Sequence, residues 1–345
     1  MGYYDGTKLL SLKDINGNKP EIYICTSNRS GGKTTYFGRY LVNRFLKHGE
    51  KFGLLYRYEY EVSDAGDKFY KQLQSLFFND TEMSCQYHAK QKYSELFLNG
   101  VSCGYAIALN CADTIKKYSH LYSDIERLLM DEFQSETSNY CPKEIEKFQS
   151  IHYSLARGNG KQYRYLPTIM LSNPVTLLNP YYVALGISSR LSDETKFMRG
   201  NGWVLEQGYN ETASLSQKTS GFYKAFNTQQ NSYAKYSTEA VYLNDQLSFI
   251  DKVEGKNKYV CTLKYMNKEF AVREYAELGF LYVNKVVDSS FNNRICVTTS
   301  DHDINYVMLK TNAYMIQAFR QLFSRGAFRF ADLECKECLI QAISY

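Results

Sequence analysis

Cys25-Thr26-Ser27-Asn28-Arg29-Ser30-Gly31-Gly32-Lys33-Thr34 decides the reading of this chain. It follows a short apolar run, Ile22-Tyr23-Ile24-Cys25, and opens a segment with helical periodicity. A strand, a glycine-containing loop and a helix in that order make a phosphate-binding P-loop. Backbone N–H groups and the helix N-terminus face the phosphates, Lys33 reaches the β/γ oxygens and the Thr34 hydroxyl reaches Mg²⁺. The pattern G-x-x-x-x-G-K-[ST] is met except at its first position, where Ser27 replaces glycine. Ser27, Asn28, Arg29, Ser30, Gly31, Gly32, Lys33 and Thr34 are therefore the candidate ATP contacts.

Working outward, Phe37, Leu41 and Phe45 repeat every four residues and Gly49 follows His48, which predicts an amphipathic helix with a glycine stop. Strands are expected at Phe52–Tyr58, Glu95–Leu98, Tyr105–Leu109, up to Met130, and at Thr168–Asn173, with a helix over Pro142–Ala156. Strands alternating with helices predict an α/β domain with a largely parallel sheet over residues 1–204. From 205 to 240 Gln, Ser, Thr, Asn and Tyr dominate, which reads as a linker subdomain. Lys258–Met266, Phe270–Tyr275 and Phe280–Val287 read as a meander with a hairpin at Asn267-Lys268-Glu269, and Arg294–Thr298 as a fourth strand. Helices capped by Asn312 and Asp332 follow, so residues 241–345 form a separate α+β domain.

With 345 residues, 44% hydrophobic and 22% charged, the chain has material for two domains. No apolar stretch approaches membrane-spanning length, Met1–Gly6 lacks a signal-peptide core, and Gly6 stands where a myristoylation motif needs Ser or Thr. Nine cysteines without framework spacing indicate reduced thiols in a cytosolic setting. The net charge of +5 permits nucleic-acid contact without demanding it.

Nucleotide hydrolysis needs an acid near Mg²⁺ and a group to activate water. Leu128-Leu129-Met130-Asp131-Glu132 offers both: Asp131 for the metal, with Thr34, and Glu132 for the lytic water. Asn173, ending a further strand, is placed to sense the γ-phosphate, or is a turn residue before Pro174. Arg157 and Arg164 lie between these two strands and are candidates for an arginine finger, Arg164 reading rather as a solvated arginine. Lys90, Lys92, Lys116 and Lys117 are candidate contacts to nucleic-acid phosphates. Cys335-x-x-Cys338 lacks a second pair and fits core packing better than zinc. Asp301-His302-Asp303 fits an acidic turn, and the lack of an Asn-Lys-x-Asp motif points to adenine.

These stretches, with Val42–Glu50, Tyr56–Tyr58, Met130–Phe133, Leu171–Pro174, Asn179–Tyr181, Val297–Asp301 and Gly326–Phe330, resemble the DNA-packaging (encapsidation) ATPases of small phi29-like tailed phages. The resemblance implies an additional-strand P-loop ATPase working as a homo-oligomeric ring, a pentamer in that family. The ring would use ATP and Mg²⁺ to drive double-stranded DNA into an empty prohead. The expected partners are DNA, the portal and prohead, and in some relatives a packaging RNA, with no membrane. The expected place is the host cytoplasm and, transiently, the portal vertex, with the protein absent from the mature virion. Arg157 falls where the family has its trans-acting finger. The family's C-terminal domain resembles an RNase H-like nuclease that has lost activity, and Tyr259–Tyr265 here carries no carboxylate where a two-metal nuclease needs one. The alternatives are another P-loop enzyme, a helicase or kinase, and a non-catalytic DNA- or portal-binding protein.

Overall fold

The computed structural model describes residues 4–137, 139–157, 162–177, 179–188, 190–191, 195–226, 232–239, 242 and 249–344. It divides into two compact units, residues 1–185 with 191–244, and residues 186–190 with 245–345.

The first unit opens with α1 (Thr7–Ser11), β1 (Ile22–Ser27) and α2 (Lys33–His48), then β2 (Lys51–Tyr56), α3 (Ala65–Phe77) and the strands β3 (Met83–His88), β4 (Tyr93–Leu98) and β5 (Val101–Ala108). Next come α4 (Ala112–Lys117), β6 (Ile125–Met130), α5 (Glu144–Leu155), β7 (Thr168–Ser172) and α6 (Pro180–Ala184). The unit ends with β8 (Phe197–Gly200), β9 (Trp203–Gly208), α7 (Glu211–Thr219), α8 (Gly221–Phe226) and α9 (Ser232–Glu239). Nine strands form one sheet in the order β3-β4-β5-β2-β6-β7-β1-β9-β8. From β5 to β9 every neighbouring pair is parallel; β3, β4 and β8 add antiparallel edges.

The sequence explains the parallel centre. Ile24-Cys25, Leu54-Leu55, Leu128–Met130 and Ile169–Leu171 are continuous buried runs, as strands covered on both faces require. On α2, Phe37, Leu41 and Val42 are the buried stripe, and Gly49 (φ 68) ends the helix where expected. β7 lies between β1 and β6. That inserted strand is the additional strand of the expected fold, and it sets the width between the P-loop and the acidic pair.

One boundary is corrected. Residues 205–208 are not linker: β9 pairs in parallel with β1 from Ile22↔Trp203 to Ser27↔Gly208, and Trp203, Val204 and Leu205 are buried. The polar composition beyond it belongs to short helices, of which α7 starts at Asn210, whose side chain accepts the Ala213 N–H at 2.9 Å. The β2 strand also stops at Tyr56, two residues before its expected end.

The second unit consists of β10 (Lys258–Tyr265), β11 (Lys268–Tyr275), β12 (Phe280–Asn284), β13 (Arg294–Cys296), β14 (Val307–Met308), α10 (Ala313–Ser324), β15 (Phe328–Phe330) and α11 (Leu333–Ser344). Its sheet runs β14-β13-β10-β11-β12-β15. The meander is antiparallel, whereas β13 and β14 are added in parallel beside β10, the arrangement expected of an RNase H-like sheet. The hairpin turn is Met266-Asn267 rather than 267–269, and both residues have positive φ (51 and 58), as a two-residue turn of matching twist requires. Cys335 and Cys338 are fully buried in the core with Leu339 and Ala342. Asp332 caps α11 by accepting the Cys335 N–H at 2.9 Å, while Asn312 precedes α10 without a side-chain capping bond.

Asp301 is not part of a metal cluster. Its carboxylate accepts the N–H groups of Met266 (3.1 Å) and Asn267 (2.8 Å) and the Thr298 hydroxyl, while Asp303 pairs with Lys264 at 3.4 Å. Asp301 therefore clasps the hairpin whose turn residues are both in the left-handed region. Asp301→Ala is expected to destabilise the second unit by about 1–3 kcal/mol, the cost of buried donors left unpaired. Urea unfolding of the full chain, followed by far-UV circular dichroism, measures it. Asp301→Asn, which keeps one acceptor, should lose less.

Candidate nucleotide site

The carboxyl ends of β1, β6, β7 and β2 bring the site together. Leaving β1, the loop passes through Ser30 (φ 59) and Gly32 (φ 90, ψ 13), two left-handed residues that turn successive N–H groups inward. The missing first glycine has a local explanation. Ser27 is still strand, so nothing at that position requires positive φ, and its side chain is buried against the loop. The constraint passes to Gly31, where an added Cβ would lie 3.1 Å from Ser27 Oγ and 3.3 Å from the Asn28 carbonyl oxygen.

The loop is held from outside by the segment expected to be a linker. Asn210 donates its N–H to Asn28 Oδ1 (2.8 Å), accepts Asn28 Nδ2 on its carbonyl (3.0 Å) and donates Nδ2 to the Gly31 carbonyl (3.2 Å). The Arg29 N–H donates to the Ser237 carbonyl at 3.1 Å, and Gln217 Nε2 donates to Ser30 Oγ at 3.1 Å. No motif marks Asn210, Gln217 or Ser237. Only the asparagine before a helical stretch, a capping signal, was available to find Asn210.

Lys33 is buried, and its Nζ donates to Asn173 Oδ1 at 2.6 Å. Asn173 thus contacts Lys33 besides turning the chain before Pro174. Gln134 fixes the turn behind it, its Oε1 accepting the N–H groups of Val175 (3.0 Å) and Thr176 (2.9 Å). Burial lowers the Lys33 pKa, and the Cys25, Asp131 and Glu132 groups oppose that shift. Asp131 is raised chiefly by burial, against hydrogen bonding from Thr34 and the charge of Lys33. A hydroxyl and a carboxylate side by side at the helix N-terminus are hard oxygen donors suited to Mg²⁺.

Glu132 has φ 54, uncommon for a non-glycine residue. Its N–H donates to Asp131 Oδ1 at 3.0 Å, and the next residue, Phe133, is anchored in the core against Tyr181 and Tyr182. Arg57, just past β2, holds this turn: Nη2 donates to the Phe133 carbonyl at 2.9 Å and both terminal nitrogens reach the Glu132 carbonyl at 3.5 Å. Its Nε binds Glu144, the buried first residue of α5, at 3.0 Å. The sequence reading missed Arg57 as a site residue. An arginine directly after a buried strand of the P-loop sheet was the available signal.

A cleft of about 340 Å³ opens beside the acidic pair, lined by Arg29, Arg57, Glu132, Glu136, Asn173 and Tyr236 among others. Arg29 forms an ion pair with Glu136, which also accepts the Tyr236 hydroxyl at 2.7 Å.

The remaining candidates lie elsewhere. Arg157 is exposed at the carboxyl end of α5, and Gly158, Asn159 and Gly160 of its turn fall outside the described residues. It lies thirteen positions after Glu144, about 20 Å along a helix axis, and it is not among the residues lining the two clefts beside Asp131 and Glu132. Arg164 is not solvated as expected. It is buried, its Nη2 donates to the Leu155 carbonyl (3.1 Å), and its N–H donates to the Ala156 carbonyl (2.9 Å), closing the end of α5. Lys92 is tied to Glu59 at 3.0 Å, Lys90 is exposed in the β3–β4 turn, and Lys116 and Lys117 form the basic last turn of α4.

The model of the Podovirus DNA encapsidation protein (Gp16) family matches residues 2–343. The chain belongs to that family. The DNA packaging protein of Bacillus phage phi29 is 24% identical over 333 residues, covering 95% of this chain and 93% of the relative. The DNA packaging protein of Bacillus phage PZA is 25% identical over the same length and coverage. A chain of the bacteriophage Phi-29 viral genome packaging motor assembly matches at a TM-score of 0.68 and 20% identity, covering 99% of this chain and 97% of that one, and so shares the fold. No helix among the described residues is long and apolar enough to cross a membrane.

The environment of Glu132 sets a pH dependence. Burial, then the charges of Asp131 and Glu136, raise its pKa above the ordinary glutamate value, and Arg29 opposes them. Glu132 therefore takes up its proton at a higher pH than a free glutamate, and a reaction needing it as a base fails earlier as pH falls. Glu136→Gln removes one raising charge, so the acid limb of the ATPase pH–rate profile should move to lower pH. An unmoved limb would separate the titration from Glu132.

Proposed function

We propose that this encapsidation protein is an ATP-hydrolysing motor subunit that moves double-stranded DNA into a prohead. The observation that carries the hydrolytic reading is the convergence of Lys33, Asn173, Asp131 and Glu132 at neighbouring strand ends, with Lys33 and Asn173 in contact at 2.6 Å. Lys33 binds the β/γ-phosphate oxygens and Asn173 keeps its ammonium aimed. Thr34 and Asp131 would hold Mg²⁺, which supplies neutralising charge at the phosphates. Glu132 accepts the proton of the attacking water, and Arg57 fixes the backbone turn that presents it. The DNA-moving part of the reading rests on membership of the encapsidation family.

Arg157 completes the site of a neighbouring copy in this reading, because its own site lies a helix length away. A finger neutralises charge as the γ-phosphate leaves, and its loss costs about a thousandfold or more in turnover. A ring is the assembly that gives every copy such a neighbour, and five copies is the number that the family resemblance supplies. The portal and prohead are the expected docking partners. The host cytoplasm during assembly is the expected place. The second unit positions DNA or docks on the capsid and cuts nothing, since β10 has no carboxylate and Asp301 is occupied by the hairpin.

Steady-state ATPase rates with and without double-stranded DNA and proheads test the whole reading. DNA-stimulated hydrolysis is expected, and phosphotransfer to a small molecule would mark a kinase instead. Lys33→Ala should lose turnover, while Glu132→Gln should keep nucleotide binding and lose hydrolysis. Homomers of Arg157→Ala and of Glu132→Gln should both be inactive. Rings mixed from the two variants should recover partial activity, because some interfaces then pair an intact Glu132 with an intact Arg157. Verified mixed rings without activity would remove Arg157 from this role.

A further inference from the structure

The amino ends of the same parallel strands carry a cationic surface that the nucleotide chemistry does not use. Two adjoining grooves make it. One, of about 370 Å³, runs along α2 and is lined by Tyr36, Arg39, Tyr40, Asn43, Arg44 and Lys47 among others. The other is small, shares Tyr40, and lies over the starts of β1, β6 and β7 with Lys19, Arg127 and Tyr165 on its walls. Partial burial lowers the Lys19 pKa, and the charges of Arg127, Lys13 and Arg44 add to that effect, so these four cations lie within each other's fields.

Ordinary explanations account for only part of the charge. Glu50 pairs with both Arg44 and Arg127, and Asp14, beside Lys13, spends its carboxylate on backbone N–H groups of Asn16, Asn18 and Gly202. Lys47 sits in the last turn of α2, where the helix dipole welcomes it. Arg39 lies over the Phe77 ring at 4.4 Å and Lys19 over the Tyr165 ring at 4.3 Å. Among the described residues none of Lys13, Lys19, Arg39 and Lys47 has a carboxylate partner. Clustered like charges oppose folding, and a bound polyanion removes that penalty.

We infer that this surface, formed by Lys13, Lys19, Arg39, Arg44, Lys47 and Arg127 at the amino ends of the strands, binds the phosphate backbone of duplex DNA. The aromatic rings favour a duplex over a single strand. Tyr23 is buried, its hydroxyl facing that of Tyr165 at 3.3 Å, and Tyr40 receives a hydrogen bond from Arg127 Nε at 3.2 Å. Tyr165 and Tyr40 lie against Lys19 (4.3 Å) and Arg127 (5.7 Å), and Tyr36 packs edge-on with Tyr4 and Phe37, so the rings are engaged within the protein rather than offering open faces on which unpaired bases stack. The inference rests on the proposed handling of DNA and is separate from Lys90, Lys92, Lys116 and Lys117.

Binding of a fluorescent 30-base-pair DNA duplex to the full chain, by anisotropy over a range of KCl concentrations, tests it. In Lys13→Gln/Lys19→Gln/Lys47→Gln, affinity at low salt should fall about tenfold or more, and the slope of log K against log salt should be shallower by about 2–3. DNA-independent ATP turnover should be unchanged, since none of the three touches the nucleotide site. If the triple variant melts early, each single Lys→Gln change should still flatten the slope by about 0.9. Wild-type affinity and slope in the variants, with DNA-stimulated hydrolysis intact, would overturn the inference and leave the motor reading standing. Loss confined to an RNA hairpin of equal charge, the duplex binding as before, would also overturn it. A wild-type chain that neither binds the duplex nor responds to it in hydrolysis would remove both.

Discussion

A buried ammonium needs oxygen around it, and the nucleotide-binding unit is arranged by where those oxygens come from. Lys33 begins α2 in line with the buried Phe37 and Leu41, four and eight residues on, so its side chain faces inward to the strand ends. Asn173 supplies one oxygen directly, and Asp131 and Glu132 supply the field that opposes the desolvation of the charge. All three sit there because β7 is inserted between β1 and β6. Were β6 beside β1, the position of Asn173 would be lost and the acids would crowd the lysine.

The turn after β6 shows the same economy. Glu132 takes an unfavourable backbone conformation, worth on the order of 1 kcal/mol or more. Phe133 buried against two tyrosines and Arg57 on two consecutive carbonyls hold it there. Because the same guanidinium binds Glu144, the acidic turn and the start of α5 share one support. The other end of α5 leads to Arg157, so in the proposed ring this one helix would link a copy's own site to its neighbour's.

What the sequence disclosed follows from the range of the interactions. The strand–loop–helix around Lys33, the strand ending at Met130, α2 and the meander are local patterns of glycine, charge and apolar period, and these elements form where the sequence places them. The strand Trp203–Gly208 and Asn210 were not legible, because their roles exist only through pairing with residues about 180 positions earlier, and polar composition masks a strand buried by its neighbours. Arg164 misread for the same reason: its partners Leu155 and Ala156 are close in the chain, but its burial is a tertiary fact. Ser27 departs from the motif because the backbone is extended at that position, and the need for a small residue moves to Gly31.

The short parallel strands also set a length. Strands of five or six residues hold their two ends roughly 17–20 Å apart, about twice the Debye length at 0.1 M salt, which is about 10 Å. Salt screens the exposed charges at the amino ends of β1, β6 and β7 in water, but less along the buried sheet that separates them from Glu132. Displacement of the strands themselves is a second route by which a polyanion there would reach the acidic turn. The stiffness of Ile24-Cys25, Leu128–Met130 and Ile169–Leu171 then becomes a mechanical property, a set of parallel rods with a load at each end.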